Sequence, residues 1–367
     1  MSEQVDLPFG LATSVGALPF ETNADANDAS ETDSNRGRGL CAAAVELALT
    51  AQPTFPTAPT SATGEWSLLS QAIAGLEGVN VVGPGLLKQS HGSDAITGCE
   101  LASQLDMPAF EPLAALLDQL GAHSERLGDR FVGARIGILG PVTLALAFRA
   151  SGMEPERAVS SASAIVVARS LAILAAYRAS MPTGALALVM SEPGLVGAMH
   201  PTFPLSPAQV LSLLTAVVTA LDQVPREPLT QGLLIGVHVP GRTDWNTILS
   251  SGVSLISAPA ESGLDGWSAR IAEFLEAGGR VAWGVVPVNQ PLGSREDLLW
   301  RRLSAVWCQL SGEGVDPLLL RSRSLISPED GLGHFGASQA TLALRLVDNL
   351  SDRVRRQAIG ARLSLGA

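Results

Sequence analysis

The sequence predicts an α/β protein folded as a single (β/α)8 TIM barrel with an elaborated N-terminal region, and three observations carry this reading. Short β-rich runs alternate with longer helical patterns, as in βα units wrapped round a parallel sheet. Eight such runs can be counted, the number that closes a barrel. No linker or internal repeat divides the 367 residues, so 1–367 reads as one domain. The hydrophobic content of 46% is ample for a large core, and with only 4% aromatics that core must be mostly Ala, Leu and Val.

In chain order, the candidate strands lie near 7–13, 80–83, 134–139, 185–190, 233–239, 252–257, 281–286 and 323–327. Amphipathic stretches at 267–277 and 297–312 separate the later ones, and Gly278-Gly279 stops the former. The helix over 208–222 has a clear start. Ser206 can cap its free amides, and Pro207 suits a first turn where a missing N–H costs nothing. Two stretches break the alternation. Residues 21–39 are rich in Asn, Asp, Ser and Glu without an apolar period, and read as a mobile loop. Residues 50–64 carry Pro53, Pro56 and Pro59, and read as extended coil across the barrel mouth.

A net charge of −11 and a pI near 4.9 argue against nucleic acid, which wants a basic face. Cys41, Cys99 and Cys308 are too few and too scattered for a disulfide framework, and fit a reducing cytoplasm as small buried hydrophobes. The N-terminus shows no signal-peptide pattern. The greasiest stretches, 164–176 and 211–221, fall short of the roughly 20 apolar residues of a membrane span. The expected partner is a small molecule, with no nucleic acid and no membrane.

Active sites of such barrels form at the C-terminal ends of the strands. Gly16, Glu192, His238, Trp283 and Asp330 all fall at or near predicted strand ends, so they should converge on one mouth. Gly331-Leu332-Gly333-His334-Phe335-Gly336 fits GxGxxG, but too little chain follows it for a dinucleotide-binding unit, and it reads as a rim turn. GxxxxGK[ST], HExxH and GxSxG do not occur.

Six segments, in order, carry a family resemblance. They are Thr13-Ser14-Val15-Gly16-Ala17-Leu18-Pro19-Phe20, Gly140-Pro141-Val142-Thr143-Leu144-Ala145, Met190-Ser191-Glu192-Pro193-Gly194-Leu195, Val237-His238-Val239-Pro240-Gly241, Trp283-Gly284-Val285-Val286-Pro287 and Ser327-Pro328-Glu329-Asp330-Gly331-Leu332-Gly333. Together they resemble the cobalamin-independent methionine synthase family, above all its single-barrel relatives. The resemblance implies a TIM barrel that methylates a thiol held on zinc by His, two Cys and Glu, with methyltetrahydrofolate as donor.

The ligand positions depart from that pattern. His238 stands where the family has its histidine, but Pro240 and Asp330 replace the thiolates, and the glutamate falls near Pro259. A substitute set of His238, Asp330 and Glu261 requires Glu261 to reach back from beyond its strand end. The family's turn serine is Ala17 here, and the aspartate that holds the substrate's ammonium group is Ser191. The resemblance therefore implies catalytic candidates Glu192, His238 and Asp330, with Ser14, Gly16, Ser191 and Trp283 as candidate substrate contacts. Zinc and other cofactors are not expected, whereas a folate remains compatible. The alternative is a non-catalytic ligand-binding or regulatory protein on the same barrel. The sister family, uroporphyrinogen decarboxylase, uses an arginine-rich N-terminal loop, and Thr13–Phe20 contains no arginine.

Overall fold

In a computed structural model of the chain, residues 7–19, 33–89, 102–181, 183–225, 232–293 and 296–364 are described, and the structural statements that follow concern these. The strands are β1 (Leu11–Ala12), β2 (Val79–Gly83), β3 (Leu86–Gln89), β4 (Gly133–Leu139), β5 (Ala185–Ser191), β6 (Leu233–His238), β7 (Leu255–Pro259), β8 (Arg280–Val286) and β9 (Ser324–Pro328). Seven of them form one curled sheet in the order β1-β9-β8-β7-β6-β5-β4, and every neighbouring pair is parallel.

The ring closes through the proline-rich segment. Thr57 pairs in parallel with Arg135 of β4, where Arg135 N–H donates to Pro56 O at 2.9 Å and Ala58 N–H to Arg135 O at 2.8 Å. On its other side Thr60 pairs with Ala17, giving Thr60 N–H to Gly16 O at 2.8 Å and Leu18 N–H to Thr60 O at 2.9 Å. Residues 54–60 are thus the eighth stave of the barrel and not a coil across its mouth. Prolines 53, 56 and 59 have no N–H to give a ladder, so the pairing is intermittent. The Thr57 hydroxyl fills one gap, accepting from Ser14 N–H at 3.2 Å.

This displaces the expected strand at 80–83. It belongs to β2, which pairs only with β3 in an antiparallel hairpin outside the barrel. The expected mobile loop is corrected too, because helix α1 (Asp33–Ala51) already covers its last seven positions. Residues 21–32 lie outside the described residues.

The remaining helices are α2 (Leu68–Ile73), α3 (Glu111–Leu127), α4 (Pro141–Ala150), α5 (Pro155–Ser180), α6 (Pro207–Asp222), α7 (Trp245–Leu249), α8 (Ser268–Glu276), α9 (Glu296–Gly312), α10 (Pro317–Ser322) and α11 (Ala337–Ser364). Helix α6 starts as its sequence requires. Ser206 accepts from Gln209 N–H, and the Gln209 side chain accepts in return from Ser206 N–H. Helix α5 is long and apolar enough by composition to cross a membrane, which the sequence reading did not expect. Its buried face, including Ile165, Ile173 and Tyr177, belongs to the barrel's main core, as in a core helix. Cys41 is buried but Cys308 is exposed, contrary to expectation, and Cys99 lies outside the described residues.

Strand alternation sorts the core into two parts. Leu11, Phe55, Ala187, Leu234, Leu255, Ala282 and Leu325 belong to a compact cluster inside the ring. The opposite faces of the same strands, such as Ile136, Leu188 and Ile256, pack outward with the helices. By the same alternation Arg135, Gly137, Gly236, His238, Ser257 and Ser327 point inward. A polar set therefore sits above the apolar cluster, towards the C-terminal mouth.

Candidate functional site

The polar set forms a chain from the barrel interior to the mouth. Arg135 on β4 donates from Nη2 to Ser257 Oγ on β7 at 3.2 Å. Ser257 Oγ lies 3.0 Å from His238 Nδ1 at the end of β6. His238 Nε2 lies 3.2 Å from Asp330 Oδ1, just past the end of β9. Arg135, Ser257 and His238 are fully buried, whereas the Asp330 side chain is 46% exposed.

Donor arithmetic fixes the protons of this chain when the imidazole is neutral. Asp330, held ionised, can only accept, which places the ring proton on Nε2, while Arg135 occupies one lone pair of Ser257 and leaves the hydroxyl hydrogen free for His238 Nδ1. The ring then carries its proton on Nε2 and donates to Asp330. Burial lowers the Arg135 pKa to about 9, since no carboxylate compensates it and its Nε and Nη1 have no partner among the described residues. Burial alone would raise the Asp330 pKa. The hydrogen bond from His238, the Gly331 N–H at 2.7 Å and the nearby imidazoles of His238 and His334 outweigh it and hold the carboxyl below its ordinary value.

The arrangement looks like a serine–histidine–aspartate triad turned inside out. Its serine is the buried end and already accepts from an arginine, so no substrate can reach that hydroxyl. The presented group is Asp330. It lines a cavity of about 480 Å³ at the barrel mouth, together with Val15, Ala17, Leu139, Thr143, Ser191 and His334. The tip of the β2–β3 hairpin, Gly83-Pro84-Gly85, lines it as well.

Glu192 plays a different part. It is wholly buried, and its two oxygens accept from Val142 N–H at 2.8 Å, Thr143 N–H at 2.6 Å and Thr143 Oγ1 at 2.5 Å. These donors belong to the first turn of α4, so the carboxyl ties the end of β5 to that helix. Burial pushes its pKa up to about 7, against the pull of those three donors. Gly140 is required here, because a Cβ at that position would sit 2.2 Å from the carboxyl.

The other candidates divide. Ser191 reaches the cavity. Gly16 forms the rim turn with φ of +106°, a conformation suited to glycine, and its neighbours Val15 and Ala17 line the cavity. Ser14 is buried against Thr57. Trp283 does not join them. It faces outward from β8, edge-on to Trp307 of α9, with its Nε1 donating to Ser324 Oγ at 2.8 Å. Sequence reasoning missed Arg135, Ser257, Thr143 and His334. The pattern Gly133-Ala134-Arg135-Ile136-Gly137 did hold a signal, one cation on the small-residue face of an otherwise apolar strand.

Zinc does not fit these residues. Pro240 has no ligand atom in its side chain, and Glu261 is mostly exposed with its carboxylate 3.9 Å from Arg302. Among the described residues no group of three or more His, Cys, Asp or Glu could hold a metal ion. His238 in the tautomer above keeps no lone pair for one.

The fold has solved counterparts. Over 95% of this chain and 98% of the other, it is similar to a Listeria monocytogenes protein provisionally named a vitamin-B12-independent methionine synthase, with a TM-score of 0.57 and 13% identity. It is also similar to a methyltransferase from Methanosarcina mazei, with a TM-score of 0.54, 15% identity and 95% of each chain covered. At these identities the likeness establishes the fold alone. No protein-family model and no curated protein matches the chain.

Proposed function

We propose that this chain is a methyltransferase-like barrel that binds a small organic substrate in its C-terminal mouth and acts without zinc. One observation carries the reading. Where the resemblance puts a metal between His238 and position 330, the structure has His238 Nε2 directly against Asp330 Oδ1 at 3.2 Å, backed by Ser257 and Arg135. Such a pair can orient a substrate and accept a hydrogen bond in the mouth, but it cannot hold a thiolate as a Lewis acid does. Thiol methylation with a folate donor is the activity implied by resemblance, and on these residues it proceeds without metal.

The test combines mass spectrometry of the small molecule released on denaturation with transfer of a labelled methyl group from methyltetrahydrofolate to homocysteine. The expected result is a copurifying organic ligand and transfer unchanged by a chelator. Chelator-sensitive transfer would overturn the metal-free reading. A second reading, ligand binding without catalysis, is favoured by the structural use of Glu192, which leaves Asp330 and His334 as the ionisable groups among the described cavity residues. A tightly held ligand with no transfer would select it.

A further inference from the structure

We infer that the mouth cavity selects a small organic cation, an ammonium or sulfonium group on an apolar body, seated against Asp330. This rests on the mouth being the ligand site and adds the charge of its occupant. Among the described lining residues there is one carboxylate, Asp330, one imidazole, His334, and no lysine or arginine. The rest are apolar groups such as Leu68, Leu69 and Leu139, hydroxyls, and glycines.

Asp330 is held ready for such a partner. Its Oδ1 accepts from His238 and Gly331, which fixes the carboxylate plane, while Oδ2 takes no hydrogen bond from the described residues. The nearest cation of the relay, Arg135, is fully buried and separated from Asp330 by Ser257 and His238. It does not line the cavity.

A ligand that fills the mouth strips water from this carboxylate. A neutral occupant leaves that loss uncompensated, and an anion adds repulsion with no lysine or arginine among the described lining residues to receive it. An organic cation restores the interaction, and its strength grows as water leaves the mouth. The apolar lining suits the alkyl groups around an onium centre.

The test uses three probes of one shape: choline, its uncharged isostere 3,3-dimethylbutan-1-ol and the anion 3,3-dimethylbutyrate. Each is titrated against the full chain by saturation-transfer NMR. Choline should bind about tenfold more tightly than the alcohol, the lower end for an interaction with a charged group, and the butyrate more weakly still. Asp330→Asn, which keeps the acceptor for His238, should erase the difference between choline and the alcohol. Ser191→Phe, which fills the mouth, should abolish binding of all three; circular dichroism of both variants confirms the fold. Equal binding of choline and alcohol, or tighter butyrate, overturns the cation inference and leaves the site standing. Binding that survives Ser191→Phe, or no binding by any probe, overturns the site as well.

Discussion

Glu192 and Asp330 are two carboxylates just beyond the C-terminal ends of barrel strands, and they do opposite jobs. Glu192 is wholly buried, satisfied by three donors, and pushed up to about 7 by burial. Asp330 is half exposed, has a free oxygen towards the mouth, and is held below its ordinary range chiefly by His238. Position at a strand end therefore brings a carboxylate to the mouth but does not say whether it faces substrate or scaffold. What decides is the element packed against it: the start of α4 presents its free amides to Glu192, whereas Asp330 leads into the Gly331-Leu332-Gly333 turn at the cavity rim.

The largest contrast should appear on truncation. Glu192→Ala leaves two buried amides and the Thr143 hydroxyl without their acceptor, and should cost about 3–5 kcal/mol in urea unfolding. Asp330→Ala removes a half-exposed pair and should cost about 1 kcal/mol or less. Equal losses would abolish the distinction between scaffold and site.

The pH dependence should differ in sign. Glu192 binds its proton more tightly in the fold than in the unfolded chain, so its contribution to stability falls as pH rises from its ordinary value of 4.5 to about 7. A shift of that size corresponds to roughly 3 kcal/mol. Asp330 behaves oppositely, with stability present above its unfolded pKa and lost as pH falls through its lowered folded value. Unfolding curves at pH 4.5 to 7.5 for the parent and Glu192→Gln should therefore diverge. Parallel curves would mean that the α4 amides hold Glu192 as an ordinary anion.

A smaller effect tests the fit around Glu192. Gly140→Ala places a methyl against the carboxyl and should cost about 1–3 kcal/mol. In a Glu192→Ala background the same change should cost little, because the obstacle is gone. Additive costs would locate the strain elsewhere.

How much of this was legible beforehand follows from the same contrast. Seven barrel strands were readable because each buries both faces and so forms an apolar run. The eighth was hidden, since its prolines erase the strand signature and Thr57 supplies by side chain what the backbone cannot. The β2 run carried the expected signature but paired locally with β3. His238 and Asp330 were found because both lie next to strand-end turns. Arg135 and Ser257 were not, because mid-strand residues show their facing only once the register of neighbouring strands is known.

A similarly small change in stability isolates the relay itself. Ser257→Ala removes one hydroxyl that bonds Arg135 on one side and His238 on the other, and should cost about 1 kcal/mol. Its main consequence is chemical. In the parent, the serine hydrogen occupies His238 Nδ1 and the ring proton stays on Nε2, facing Asp330. Without the serine, Nδ1 has no donor, and Asp330 alone is left to hold the proton on Nε2. Ring nitrogen-15 shifts of His238 should show one tautomer in the parent and a mixture in Ser257→Ala, while Glu192→Gln, on the scaffold side, leaves them unchanged. A mixture already present in the parent would mean that Arg135 and Ser257 do not position the imidazole. The ordered path from the barrel interior to Asp330 would then end at His238.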